Sequence, residues 1–136
     1  MDLYAENILD HYKHPRNAEL LPHPDVSHRE ENASCGDDLN LTLTLKNGVI
    51  AEIGWSGQGC AISQAAMSLL SEELTGKSLD EAGAMKKVSI LALLGVPVGP
   101  RRLKCALLCL HTLKNTVRKV KGQEPESWLR NVEIDN

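Results

Sequence analysis

The sequence predicts an α+β domain in which helices pack on one face of a small antiparallel sheet. Three features carry that prediction: a stretch of strictly alternating apolar and polar residues, an Asn-Gly pair directly after it, and apolar stripes at helical spacing through the second half of the chain. Strands early and helices late segregate the two kinds of element, unlike the strand-helix alternation of a parallel α/β fold. At 136 residues there is room for one core, since a second domain would be too small to bury its own. That single domain is expected to fill the chain, with a core from about residue 3 to 120 and a C-terminal tail over 122–136.

Taken in order, Leu3, Ile8, Leu9 and Tyr12 mark a first helix that starts from Asp2 as N-cap and ends where His14-Pro15 leaves the helical region. Arg16 to Ser34 carries Pro22, Pro24 and several polar residues, and is expected to be mostly irregular with one short strand over Val26–Glu30. Leu39, Leu41, Leu43 and Leu45 then alternate with Asn40, Thr42, Thr44 and Lys46, the pattern of a half-buried strand. Asn47-Gly48 predicts a hairpin whose register follows from the apolar pattern, because a slip of one residue turns every side chain over. A two-residue loop would set Leu43 opposite Glu52; a three-residue loop with Gly48 as a bulge pairs Leu45 with Val49, Leu43 with Ala51, Leu41 with Ile53 and Leu39 with Trp55. The second register is the expectation. Ile62, Ala65, Ala66, Leu69, Leu70 and Leu74 stripe a helix that stops at Gly76, and Ser78 with Glu81 forms a capping box for a short helix over Leu79–Lys86, followed by another turn. Pro100 opens the last helix, lined by Leu103, Ala106, Leu107, Leu110, Leu113, Val117 and Val120 up to Gly122. Trp128, Leu129, Val132 and Ile134 are expected to dock the tail on the body.

Composition removes several classes of function. Hydrophobic residues make up 42% and charged residues 24%, a globular balance. There is no Phe, and only two Trp and two Tyr, too few for a stacking surface, and the net charge of -3 opposes phosphate binding, so no nucleic-acid partner is expected. Ile90–Val98 is the longest mostly apolar run and is broken by Gly95 and Pro97, so no membrane span is expected. The opening Met-Asp-Leu-Tyr-Ala-Glu has no basic or apolar leader region, so a cytoplasmic location is expected, where the four cysteines would stay reduced. Reduced cysteines read as metal ligands, nucleophiles or small core residues.

Cys35-Gly36-Asp37 sits in a loop before the alternating strand, where Gly36 lets a thiol and a carboxylate turn toward one centre; the alternative is a plain turn with a buried thiol and a solvated Asp. Gly57-Gln58-Gly59-Cys60 joins a strand end to a helix start, whose free amides hold negative charge and favour a thiolate; the alternative is a glycine-rich turn with a small apolar residue. Cys105 lies among Arg101, Arg102 and Lys104, cations expected to favour its thiolate. Cys109 is flanked by aliphatic residues and is expected in the core. None of the five histidines has a paired metal-binding spacing; solvated or capping roles are expected for His11, His14, His23 and His28, and His111 faces either core edge or solvent. Lys114, Arg118, Lys119 and Lys121 form a solvated basic face. Three cysteines from separate segments with one carboxylate make a mixed, thiolate-rich set that suits zinc or an iron-sulfur cluster, and their spacing is not that of a zinc ribbon or a four-cysteine ferredoxin.

Together, Asn32-Ala-Ser-Cys35-Gly-Asp37, Gly57-Gln-Gly-Cys60-Ala-Ile-Ser63 and Arg102-Leu-Lys-Cys105-Ala resemble the U-type iron-sulfur scaffold family, comprising IscU, SufU and the N-terminal domain of NifU. Ile8-Leu-Asp-His-Tyr12 and His14-Pro-Arg-Asn17 resemble it too, so the likeness runs from about Leu3 to Val120. The resemblance implies a three-stranded antiparallel sheet with helices around it. It implies that Cys35, Asp37, Cys60 and Cys105 bind zinc or a [2Fe-2S] cluster at one site. It also implies sulfur delivered as persulfide by a pyridoxal-phosphate cysteine desulfurase of the NifS, IscS or SufS type, with Cys105 as acceptor and downstream iron-sulfur proteins as recipients. Such a protein is a carrier; under the SufU-like alternative it is a zinc-dependent sulfurtransferase, and a structural zinc domain is the third reading. Isc-type members carry Leu-Pro-Pro-Val-Lys-x-His-Cys at the third motif, whereas this chain has Val98-Gly-Pro-Arg-Arg-Leu-Lys-Cys105. The resemblance therefore does not extend to a chaperone partner that reads the Isc motif. Lys104-Cys105 looks Suf-type, yet the insertion usual in Suf-type members between the second and third cysteines is missing, which makes the chain a hybrid.

Overall fold

The computed structural model describes residues 3–32 and 34–134. Pro15 ends the first helix, α1 (Leu3–Lys13), by excluding His14 from the helical region; the N-cap expected at Asp2 lies outside the described residues. The first strand, β1 (Val26–Asn32), runs two residues beyond the expected end at Glu30. It pairs antiparallel with β2 (Asp37–Lys46), which pairs antiparallel with β3 (Val49–Gln58), in the order β1-β2-β3. Leu39, Leu41 and Leu43 of β2 are fully buried on the inner face, with Ile53 and Trp55 of β3 beside them.

The hairpin register differs from the expected one. The turn is the two-residue Asn47-Gly48 with both residues at positive φ (55° and 75°), the conformation whose twist matches the strands. Lys46 faces Val49 and Leu45 faces Ile50; an irregularity after Thr44 lets Ala51 bulge out, and below it Thr44 faces Glu52, Leu43 faces Ile53 and Leu41 faces Trp55. An extra residue is indeed needed to keep the apolar face continuous, but it sits inside β3 rather than in the loop.

The helical half begins with α2 (Ala61–Leu74), which packs against α1 and α5 (Pro100–Val120). Between them lie α3 (Leu79–Gly83), with the Ser78–Glu81 capping box in place, and α4 (Lys87–Leu94), which ends on Gly95 at φ 70°. α5 lies along β1 and β2 with Leu107, Leu108, Leu110 and Leu113 buried. On the outer face of the sheet, the segment after α1 crosses so closely at Gly54 that a Cβ there would stand 2.1 Å from the Glu19 carbonyl oxygen. Leu21 N–H donates to Thr42 Oγ1 (3.1 Å) on that face, and the Trp55 indole donates to the Arg16 carbonyl (2.7 Å).

The tail docks through a π-helical turn over Leu129–Glu133, with Val132 buried and Trp128 partly so. Leu129 and Ile134, expected in that contact, are each 52% exposed: the wide turn sends Val132 inward and leaves these two outside.

Candidate metal centre

The pocket is built where the sheet's inner face ends. Asp37, the first residue of β2, is buried, and its Oδ1 accepts the Cys60 backbone N–H at 2.9 Å, tying β2 to the start of α2. Gly59 makes this approach possible: it sits at φ 142°, and a Cβ there would fall 1.9 Å from Asp37 Oδ1. The other carboxylate oxygen, Oδ2, is buried with no hydrogen-bond partner among the described residues. A buried, unsatisfied acceptor is unfavourable by about 1–3 kcal/mol unless a donor or cation completes it.

Gly36, at φ 69°, turns the chain between Cys35 and Asp37. Cys35 is exposed, its N–H donates to the Asn32 carbonyl (3.1 Å), and the Asn32 amide donates to its Sγ (3.3 Å). Cys105, in the second turn of α5, is buried and donates to Cys35 Sγ at 2.9 Å. Donor atoms of Cys35, Asp37 and Cys105 all lie within 4.8 Å of one another. Cys60 is the N-cap of α2 and stands outside that trio, although its thiol is one of the groups acting on Cys105.

The Cys105 thiol is held well above the ordinary thiol range, first by burial and then by Cys35, Asp37 and Cys60 beside it. This reverses the expectation that Arg101, Arg102 and Lys104 favour its thiolate. Those side chains belong to exposed residues, while Cys105 faces inward into acceptors and thiols. Without a cation the Cys105 thiol keeps its proton and donates it to its neighbours; a coordinating metal would deprotonate the thiols and take carboxylate oxygen as a ligand. The donor set, sulfur with one oxygen, fits zinc or iron.

Cys109 is fully buried, leans its Sγ toward the Ala106 carbonyl (3.5 Å), and is pushed up to about 12 by burial. Two histidines expected in solvated or capping roles are instead packed against neighbours, His11 buried and His28 half-buried. His11 is buried with Nδ1 2.7 Å from Ser68 Oγ, which joins α1 to α2, and His28 lies on β1, 2.6 Å from Glu30. His111 is buried beside Glu30 as well. The signal was in the period: on β1 every second residue from Val26 points inward, and His28 and Glu30 fall in that phase. No helix among the described residues is long and apolar enough to cross a membrane.

Residues 3–126 match the family described as NifU-like N-terminal domain. The chain is 33% identical over 137 aligned positions to the zinc-dependent sulfurtransferase SufU of Bacillus subtilis, covering 88% of this chain and 92% of that protein. It is 34% identical to the iron-sulfur cluster assembly scaffold protein IscU of Haemophilus influenzae, covering 89% and 98% respectively. A crystal structure of a putative iron-sulfur cluster assembly scaffold protein for the SUF system, from Fervidobacterium islandicum, superposes with a TM-score of 0.71 at 25% identity, covering 82% of this chain and 94% of that one.

Proposed function

Because the chain belongs to the NifU-like N-terminal domain family, we propose that it is a scaffold on which a [2Fe-2S] cluster is assembled and from which the cluster is passed to acceptor proteins. Cys35, Cys60 and Cys105 supply thiolates and Asp37 supplies Oδ2, and the same four groups hold zinc when no cluster is present. The observation that carries this reading is the trio of Cys35, Asp37 and Cys105, whose donor atoms lie within 4.8 Å of one another around a buried carboxylate. A carboxylate serving only as a cap has no reason to stand buried in a trio with two thiols.

Sulfur enters from a cysteine desulfurase in the cytoplasm. As the Cys35 turn opens, Cys105 gives up its proton to solvent and its sulfur attacks the outer sulfur of the desulfurase persulfide, a new S–S bond forms on Cys105, and the desulfurase cysteine leaves as thiolate. Each sulfur then requires two electrons from an external reductant to become sulfide. Cys105 lies beneath the exposed Cys35 turn, so this turn moves aside during transfer. Protein acceptors then remove the cluster. The chain is thereby a carrier and not a turnover catalyst.

A second reading, a zinc-dependent sulfur acceptor that stimulates a Suf-type desulfurase, is favoured by Lys104 directly before Cys105 and by the 33% identity to the Bacillus subtilis protein. Anaerobic incubation with ferrous iron, cysteine, a desulfurase and a thiol reductant separates the readings. Formation of a transferable cluster supports the scaffold. Stimulated desulfurase turnover by the zinc form with no cluster supports the sulfurtransferase, and neither result leaves a structural zinc domain.

A further inference from the structure

A strand that covers a core normally turns apolar residues inward, yet the inner face of β1 carries Val26, His28, Glu30 and Asn32. His28 and Glu30 meet α5 and, through it, the tail in one connected network. Glu30 Oε2 lies 2.6 Å from His28 Nε2 and accepts from Asn115 Nδ2 (2.8 Å), while Glu30 Oε1 lies 3.3 Å from His111 Nε2. On the far side of the imidazole, Asn131 Nδ2 is 3.0 Å from His111 Nδ1, and the Trp128 ring meets His111 edge-on at a centroid distance of 5.2 Å.

The network fixes who donates. Asn115 Oδ1 already accepts the Glu126 N–H (2.8 Å), so the Asn131 atom 3.0 Å from it must be the amide nitrogen. That nitrogen donates to His111 Nδ1, which is therefore unprotonated, and the ring proton sits on Nε2 toward Glu30. A second proton on His111 would leave the Glu30 side intact but set an N–H against the Asn131 amide at 3.0 Å, turning the tail's buried hydrogen bond into a donor-donor contact.

We propose that this cluster is a pH-operated latch: protonation of His111 releases the Trp128–Glu133 segment from α5 and uncovers the surface beside Cys105. Trp128 lines both a cavity of about 240 Å³ with Glu31, Asn32, Lys104 and His111 and one of about 400 Å³ with Pro100, Leu103, Lys104, Leu107 and Val132. Both cavities include Lys104, the neighbour of Cys105, and Asn32, which bonds Cys35, borders the first. Releasing the tail merges these cavities into an open face next to the thiols.

The groups facing His111 decide the range. Burial and the charge on His28 oppose protonation, Glu30 favours it, and the net effect holds His111 below the ordinary histidine value. Lys104 lines the smaller cavity with it, while the Glu31 carboxylate is turned to Arg29 (3.2 Å) in the outward phase of β1. The Glu126 carboxylate is turned to Arg118 (3.4 Å) and Arg130 (3.9 Å) instead. The latch is therefore closed at neutral pH and opens on mild acidification.

Nuclear magnetic resonance on the full chain tests this, following the His111 ring, the Trp128 indole N–H and the exchange of the Asn131 and Ile134 amides between about pH 8 and pH 5. These two amides donate to Ser127 and Leu129 carbonyls when the tail is docked. Their protection, corrected for the intrinsic pH dependence of exchange, is expected to fall about tenfold or more as His111 protonates, with the Trp128 signal moving at the same midpoint. His111→Gln, which cannot titrate, is expected to abolish the pH dependence. Should that variant not fold, coincidence of the His111 and Trp128 midpoints in the native chain decides. Unchanged tail protection while His111 takes up its proton, an identical titration in His111→Gln, or a His111 ring that stays neutral until the whole fold is lost would each overturn the latch.

Discussion

Asp37 uses its two oxygens differently: Oδ1 closes the start of α2 through the Cys60 amide, and Oδ2 is buried without a hydrogen-bond partner among the described residues, the position the proposed metal centre assigns to a ligand. Oxygen is a harder, more exchangeable donor than thiolate, so under the proposed function Asp37 is expected to set how readily cargo leaves. Asp37→Ala is expected to keep its three sulfur ligands and to hand on cluster more slowly than the native chain, and Asp37→Cys to bind more tightly and donate poorly, as read by transfer to a competing acceptor. Cys35→Ser, Cys60→Ser and Cys105→Ser are each expected to lose metal, since a hydroxyl is a far less acidic ligand. Cys109→Ser keeps the metal and loses about 1–3 kcal/mol of stability, because its hydroxyl would lie in an apolar core; metal analysis with denaturant titration checks both halves. The tie between Asp37 and Cys60 spans 23 positions and has no local sequence signal, whereas the Cys-Gly-Asp and Gly-Cys turns do. Gly59 announces nothing beyond a turn in the sequence; only the folded chain shows that a side chain there would displace the carboxylate. Gly59→Ala is accordingly expected to reduce zinc stoichiometry, and full occupancy in that variant would mean that Asp37 is not held in place by this approach.

At the scale of elements, the alternating leucines identified β2 and its buried face without ambiguity, and Pro15, Ser78 and Pro100 set helix ends that follow from backbone sterics and capping. The hairpin register was harder because two devices, a longer loop or a bulge inside the strand, restore the same apolar face. Asn47 and Gly48 decide between them through their shared left-handed geometry. A Cβ at Gly48 would meet nothing within 4 Å, so Gly48→Ala tests the backbone alone and should cost about 1–2 kcal/mol in a denaturation experiment. No loss would mean that the turn readily adopts another form. Polar residues on an inner strand face were the least legible element feature: His28 reads as solvated or capping until Glu30, and through it His111 of α5, is seen against it.

Across the whole molecule, burial holds both His11 and His111 below the ordinary value of 6.5, so the folded chain prefers their neutral forms. An unfolded histidine binds its proton first as pH falls. The stabilisation is thus fully present above about pH 6.5 and is lost as the pH drops through the lower folded values, which a melting series across that range will show. Metal bound by the native state alone adds its binding energy to folding, so complete chelation is expected to lower the melting temperature, and an unchanged value would count against a site formed by folding. The most direct test of that site is Asp37→Asn. The substitution keeps an oxygen for the Cys60 N–H and the same shape, but places an amide nitrogen where Oδ2 stands, and nitrogen with two protons cannot ligate a cation. The metal-free variant should melt within about 1 kcal/mol of the native protein, while its zinc affinity, measured by competition with a chelator, falls at least about tenfold. Equal zinc affinity in the two proteins would show Asp37 to be a helix cap and contradict the carboxylate-completed metal centre.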